Sequence, residues 1–163
     1  LTYGTGVSDG NDYPSILSGL SHLEVVNQGV PGEISADGLK RLPPLLDEIK
    51  PGLLILIHGG NDILKKIPEQ ETVANLNNMV AEAKNRHIPV VMMGVPKPGL
   101  FLMESAPPYQ ALAQDKDILM DLDTLPRILG DNNLKSDMVH PNSAGYKQMA
   151  ENLFGMLKKA GAL

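Results

Sequence analysis

With 163 residues, 42% of them hydrophobic and 20% charged, the chain has the size and composition of one domain, residues 1–163, built on a single core. Its net charge of -5 comes from 19 acidic and 14 basic residues mixed along the chain, which excludes the basic footprint of a nucleic-acid or anionic-lipid binder. Cysteine is absent, which excludes disulfides and thiolate chemistry, and the longest apolar run, Leu53 to Ile57, is far short of the roughly 20 residues that span a bilayer.

A short helix is expected from Tyr13 to Leu20, followed by a strand from Leu23 to Asn27. Leu39, Leu42, Leu45, Leu46 and Ile49 predict a helix over Ser35 to Ile49, with a kink or restart where Pro43 and Pro44 lack backbone donors. Leu53 to His58 and Ile88 to Met93 read as strands buried on both faces. Between them Val73, Leu76, Met79, Val80 and Ala83 predict a helix from Thr72 to Arg86, with Thr72 as its N-cap. A short helix over about Pro108 to Gln114 and a fourth strand near Ile118 to Leu122 come next. Tyr146, Met149, Ala150, Leu153, Phe154 and Leu157 then predict a closing helix from Ser143, its cap, to Lys159, with Gly161 as the stop. This alternation is the pattern of an α/β domain whose parallel sheet is covered by helices on both faces.

In such sheets the ligand lies beyond the carboxyl ends of the strands, so the loops that follow them are the place for chemistry. After the first strand comes Asn27-Gln28-Gly29-Val30-Pro31-Gly32-Glu33-Ile34-Ser35, where glycine lets the backbone approach a ligand; an ordinary turn has the same composition. After the second comes His58-Gly59-Gly60-Asn61-Asp62, where the Asn61 amide is either an oxyanion donor or a turn cap. His58 reads as a histidine that either packs beside that loop or supports the residues of the site from behind. Asp137-Met138-Val139-His140-Pro141-Asn142 precedes the last helix and sets a carboxylate three residues before an imidazole, near enough to fix the tautomer of a general base. The loop after Met93 is apolar for a surface segment, so that Pro96, Leu100, Phe101 and Leu102 either line an acyl or aryl pocket or pack beneath the next helix. His22, His58, His87 and His140 are too scattered to form a metal site, and no nucleotide-binding motif follows Gly4-Thr5-Gly6, so neither metal nor cofactor is expected.

Gly32, Gly59-Gly60-Asn61-Asp62 and Asp137 to Pro141, in this order, resemble the second, third and last blocks of the GDSL or SGNH hydrolases, with most similarity to the small bacterial arylesterase and thioesterase/lysophospholipase branch. The resemblance runs along essentially the whole chain. It implies a three-layer α/β/α, flavodoxin-like parallel sheet, with His140 as base, Asp137 as its partner, and Gly32 (backbone N–H) and Asn61 (side-chain amide) as oxyanion donors. The family's first block is Gly-Asp-Ser-Leu, and Leu1-Thr2-Tyr3-Gly4-Thr5-Gly6 looks like its continuation, so the nucleophilic serine is expected immediately before Leu1. None of Ser8, Ser15 and Ser35 holds that place. The first strand, just before the serine, is likewise implied to precede Leu1. Its buried side chains, at about 1.5–3 kcal/mol each, would rival the roughly 5–15 kcal/mol stability of a whole domain, so strand and serine are expected in the protein though not in this chain.

The implied activity is hydrolysis of an ester or thioester through an acyl-enzyme. A binding module with the same pocket and no nucleophile is the alternative, decided by the residue before Leu1. The expected partner is a small-molecule ester or thioester, with no nucleic acid and no membrane span. The resemblance implies a periplasmic or secreted location, with the cytoplasm as the alternative and any signal peptide upstream of Leu1.

Overall fold

A computed structural model of the chain describes residues 1–97, 104–114 and 118–163. In chain order the elements are α1 (Tyr13–Ser21), α2 (Ser35–Ile49), β1 (Leu54–Leu56), α3 (Gly60–Leu64), α4 (Glu69–Lys84), β2 (Val90–Met93), α5 (Pro107–Leu112), β3 (Ile118–Asp121), α6 (Thr124–Gly130) and α7 (Ser143–Lys159). The fold is α/β, as expected. Among the described residues two compact units are distinguished, one of residues 1–31 and 127–163, the other of residues 32–97, 104–114 and 118–126. No helix among the described residues is long and apolar enough to cross a membrane.

The second unit holds a parallel sheet in the order β1-β2-β3. Leu54 pairs with Val90 and Leu56 with Met92, while Val90 pairs with Ile118 and Met93 with Asp121. All four residues of β2, Val90–Met93, are buried, which explains why the sequence shows an unbroken apolar run there rather than alternation. Leu76, Met79, Val80 and Ala83 of α4 are buried with them. That helix starts earlier than Thr72. Its N-cap is Pro68, Glu69 and Glu71 complement the helix dipole in the first turn, and Thr72 is buried inside the helix with its hydroxyl directed to Asp62.

α2 spans the range the sequence predicts, but it neither restarts nor breaks at Pro43 and Pro44. Two missing donors are tolerated because α2 packs along α4 with Leu46 buried, and tertiary packing outweighs the local loss. The start of α2 is capped from outside its own sequence: the N–H of Ser35, a helix-terminal donor, goes to Asp62 Oδ2 at 2.9 Å.

In the first unit α1 packs on α7. Tyr13, Leu17, Tyr146, Met149, Ala150, Leu153 and Leu157 are buried there. Asp12 caps α1 by accepting the N–H of Ser15 at 3.0 Å. The cap of α7 is Asn142, not Ser143, with Oδ1 accepting the Gly145 N–H at 3.0 Å. Gly161, in the left-handed region at φ +70°, follows its end.

The expected strand from Leu23 to Asn27 does not form. A ladder needs a neighbouring strand, and among the described residues none runs beside this segment, whose Leu23 and Val26 are 55% and 46% exposed. It is held instead by Ser18 Oγ donating to Leu23 O and by Asn27 Nδ2 donating to Thr2 O.

Candidate active site

The loop before α7 is closed on itself. Ser136 N–H donates to His140 O and Asn142 N–H to Leu134 O, both at 2.9 Å, and Lys135 bridges Pro141. Within it Asp137 Oδ1 accepts the N–H groups of Val139 and His140, each at 2.8 Å, and Oδ2 stands 2.8 Å from His140 Nδ1. Burial tends to raise the Asp137 pKa, but the hydrogen bonds from Val139 and from the ring and N–H of His140 outweigh it and hold the carboxyl below its ordinary value. With Nδ1 on the carboxylate, His140 keeps Nε2 without a hydrogen-bond partner among the described residues, the arrangement a general base needs.

The N-terminal segment packs on the same loop. A Cβ at Gly6, whose φ is +92°, would stand 3.1 Å from Ser136 Cβ, and Tyr146 of α7 donates its hydroxyl to Thr5 O at 3.1 Å. Thr5, Gly6 and the loop of Asp137 and His140 therefore belong to one part of the first unit.

Asn61 meets the loop of Gly32 in the second unit. Asn61, in the first turn of α3, donates through Nδ2 to Glu33 O at 2.9 Å, and Lys65, just beyond α3, donates through Nζ to Gly32 O at 3.1 Å. One short helix thus holds two successive carbonyls of the Gly32 loop. Among the described residues the Gly32 N–H makes no hydrogen bond and no atom lies within 4 Å of where a Cβ would stand, so toward them this backbone is open. Its φ of +75° lies in the left-handed region that glycine alone enters without strain.

Behind these donors is a polar cluster with most of its surface removed from water. Arg41 clasps Glu33 in a fork, Nε to Oε1 at 2.7 Å and a terminal nitrogen to Oε2 at 2.9 Å. His58 Nε2 lies 3.1 Å from the same Oε2. The Glu33 and His58 side chains are only 10% and 14% exposed, so solvent screens these contacts weakly. The Arg41 hydrogen bond is the main cause that lowers the Glu33 pKa; burial opposes it and His58 reinforces it. Gly59 N–H donates to His58 Nδ1 at 3.0 Å, which assigns the lone pair to Nδ1 and the proton to Nε2. Tyr109 donates to His58 O at 2.5 Å, and burial, with a smaller contribution from the Asp62 charge, drives the Tyr109 pKa upward. Asp62, with no exposed surface, binds the N–H and hydroxyl of Ser35 and the hydroxyl of Thr72, while Asn75 donates to Ser35 Oγ at 2.9 Å.

Of the predicted residues, Asp137 and His140 thus pair directly, while Asn61 is held to the carbonyl of Glu33, the residue after Gly32. Of the expected pocket residues, Pro96 is buried and bridges Ser105, and Leu100, Phe101 and Leu102 lie outside the described residues. Among the described residues none of the Ser8, Ser15 and Ser35 hydroxyls bonds His140: Ser8 meets Asn11, Ser15 meets Asp12 and Ser35 meets Asp62. Sequence reasoning missed Glu33, Arg41, Thr72, Asn75 and Tyr109, whose contacts span up to 51 residues. Only the Glu33 and Arg41 pair had a readable signal, opposite charges on either side of a helix start.

Comparison with known proteins shows the family and the fold. The GDSL-like Lipase/Acylhydrolase family matches residues 1–148. Esterase TesA of Pseudomonas aeruginosa is 32% identical over 141 residues, covering 82% of this chain and 69% of that protein. Thioesterase 1/protease 1/lysophospholipase L1 of Escherichia coli is 27% identical over 149 residues, covering 87% and 72%. A crystal structure of TesA superposes with a TM-score of 0.83 at 26% identity, covering 97% of this chain and 93% of that one. The chain belongs to the GDSL-like lipase/acylhydrolase family of hydrolases.

Proposed function

We propose that the chain supplies the base and the oxyanion donors of a serine esterase that cleaves carboxylic esters or thioesters, of aryl, acyl or lysophospholipid type, through an acyl-enzyme. The observation that carries this reading is the 2.8 Å contact of His140 Nδ1 with Asp137, which leaves Nε2 unengaged among the described residues. In this reading the nucleophile is a serine bonded to the Leu1 nitrogen, and the packing of Gly6 on Ser136, in the loop of Asp137 and His140, supports it. His140 Nε2 takes the proton as the serine oxygen bonds to the carbonyl carbon. The carbonyl π electrons pass to oxygen, where the Gly32 N–H and the Asn61 amide donate to the developing charge. Collapse expels the alcohol or thiol, which takes the proton from His140. Water, deprotonated by the same nitrogen, then bonds to the acyl carbon, and collapse breaks the bond to the serine oxygen, which takes the proton back from His140 as the acid leaves.

We place the acyl or aryl group against Pro96, Leu100, Phe101 and Leu102, on the ground of their apolar character after β2. Phe101→Ala and Leu102→Ala are expected to change the preference between short and long acyl esters; an unchanged preference would remove these residues from the pocket. The activity itself is tested with p-nitrophenyl esters and acyl thioesters on the full-length protein. Hydrolysis that His140→Ala abolishes is expected. A His140→Ala variant as active as the parent would refute the assignment, and a parent that binds esters without turnover would favour a binding module.

A further inference from the structure

We infer that His58 is a positioning residue for this reaction: as its Nε2–H tautomer it fastens the segment carrying Asn61 to the loop carrying Gly32. The inference rests on the proposed roles of those two donors.

His58 stands between the end of β1 and the two glycines that lead to Asn61. Its Nδ1 accepts the N–H of Gly59 and its Nε2 meets the Glu33 carboxylate, so the imidazole ties its own segment to the residue that follows Gly32. Asn61 closes the circuit by donating to the Glu33 carbonyl. The path from His58 through Gly59 and Gly60 to Asn61, across to Glu33 and back to His58, is a closed loop of covalent and hydrogen bonds with one oxyanion donor on it and the other next to it. A displacement of Asn61 relative to Glu33, the residue that follows Gly32, must strain or break a link.

Three further contacts hold the ring in place. The Arg41 fork orients the Glu33 carboxylate, the Tyr109 hydroxyl fixes the His58 carbonyl, and Gly38 lies against the imidazole where a Cβ would stand 2.9 Å from Cδ2. The opposite tautomer would set an N–H against the N–H of Gly59 and a lone pair against the carboxylate, losing both bonds at once. Neither Nε2 nor Nδ1 is left to touch a substrate, so the role of His58 is geometric.

The test uses the full-length protein and four single variants. An asparagine amide reaches about as far as Nδ1 and a glutamine amide about as far as Nε2, so His58→Asn keeps the Gly59 contact and His58→Gln keeps the Glu33 contact. His58→Leu, His58→Asn and Glu33→Ala are expected to lower kcat by about 10- to 100-fold with KM within about twofold, the scale of a misplaced catalytic group. His58→Gln is expected to recover most of that loss. If His58→Leu fails to fold, the comparison of His58→Asn with His58→Gln carries the same information. A rise in KM at unchanged kcat, unaltered kinetics, or equal losses in His58→Asn and His58→Gln would overturn the inference. Independently of activity, the ¹⁵N resonances of the His58 ring must show a protonated Nε2, and a protonated Nδ1 with a bare Nε2 would overturn it as well. A parent protein that hydrolyses no ester would overturn the proposed function and the catalytic part of this inference together; intact His140-dependent hydrolysis in His58→Leu would overturn this inference alone.

Discussion

Asp137 binds His140 with both of its oxygens: Oδ2 lies 2.8 Å from the ring Nδ1, and Oδ1 accepts the backbone N–H of the same residue at 2.8 Å. The carboxylate therefore sets the loop and the tautomer together. Asp137→Asn keeps an acceptor for the backbone and turns an amide N–H toward Nδ1, which forces the proton to the wrong ring nitrogen. The expected result is a fall in kcat of about 10⁴-fold, with a small fall in the urea midpoint of unfolding at neutral pH, because the ionised carboxylate also contributes to stability. Steady-state kinetics and a urea titration of the same preparation check both halves.

Asn61 holds the Glu33 carbonyl and carries the proposed donor on one amide. Asn61→Ala is expected to reduce kcat by about 10²- to 10³-fold, with a much smaller change in KM. A variant whose loss lies entirely in KM would assign Asn61 to substrate binding instead.

Acid should weaken the fold through Glu33 and Asp137. Both carboxyls have folded pKa values depressed below their ordinary ones, Glu33 chiefly by Arg41 and Asp137 by hydrogen bonds that overcome burial. Their contribution is fully present above the unfolded carboxylate pKa of about 4 and is lost as pH falls through the lower folded values. Urea midpoints measured from pH 6 downward, to about 2.5, are expected to decline below about pH 4, and Glu33→Gln is expected to flatten the decline.

Two glycines sit where no side chain fits. A Cβ on Gly59, at φ +96°, would stand 2.6 Å from the Tyr109 hydroxyl, and one on Gly38 would meet the His58 ring. Gly59→Ala and Gly38→Ala are each expected to cost about 1–3 kcal/mol of stability, read from urea unfolding. Gly52→Ala, with nothing within 4 Å among the described residues and an ordinary φ, is the control expected to be near neutral.

Short-range patterns in the sequence carried most of what was legible. The Asp137 and His140 pair is three residues apart and closes within its own loop, and the helices over Ser35–Ile49 and Ser143–Lys159 follow from apolar spacing alone. Pairing was not legible: Leu23 to Asn27 has the composition of a strand, but composition does not name the neighbour that a ladder requires. Thr72 looks like a cap because threonine is a common cap; its hydroxyl instead serves Asp62, a partner ten residues away. The cluster behind Gly32 and Asn61 was hidden for the same reason, since Glu33 meets His58 across 25 residues and Asn75 meets Ser35 across 40. His58 could be read as packed, but its tautomer and its partners depend on those distant contacts.

The most direct test of the central claim is covalent labelling of the full-length protein with a serine-directed fluorophosphonate, read by intact mass and peptide mapping. The account predicts a single adduct on a serine bonded to Leu1, formed at least about 10³-fold more slowly in His140→Ala. An adduct absent under conditions that label a known serine esterase, or one that forms on Ser8, Ser15 or Ser35, would contradict it.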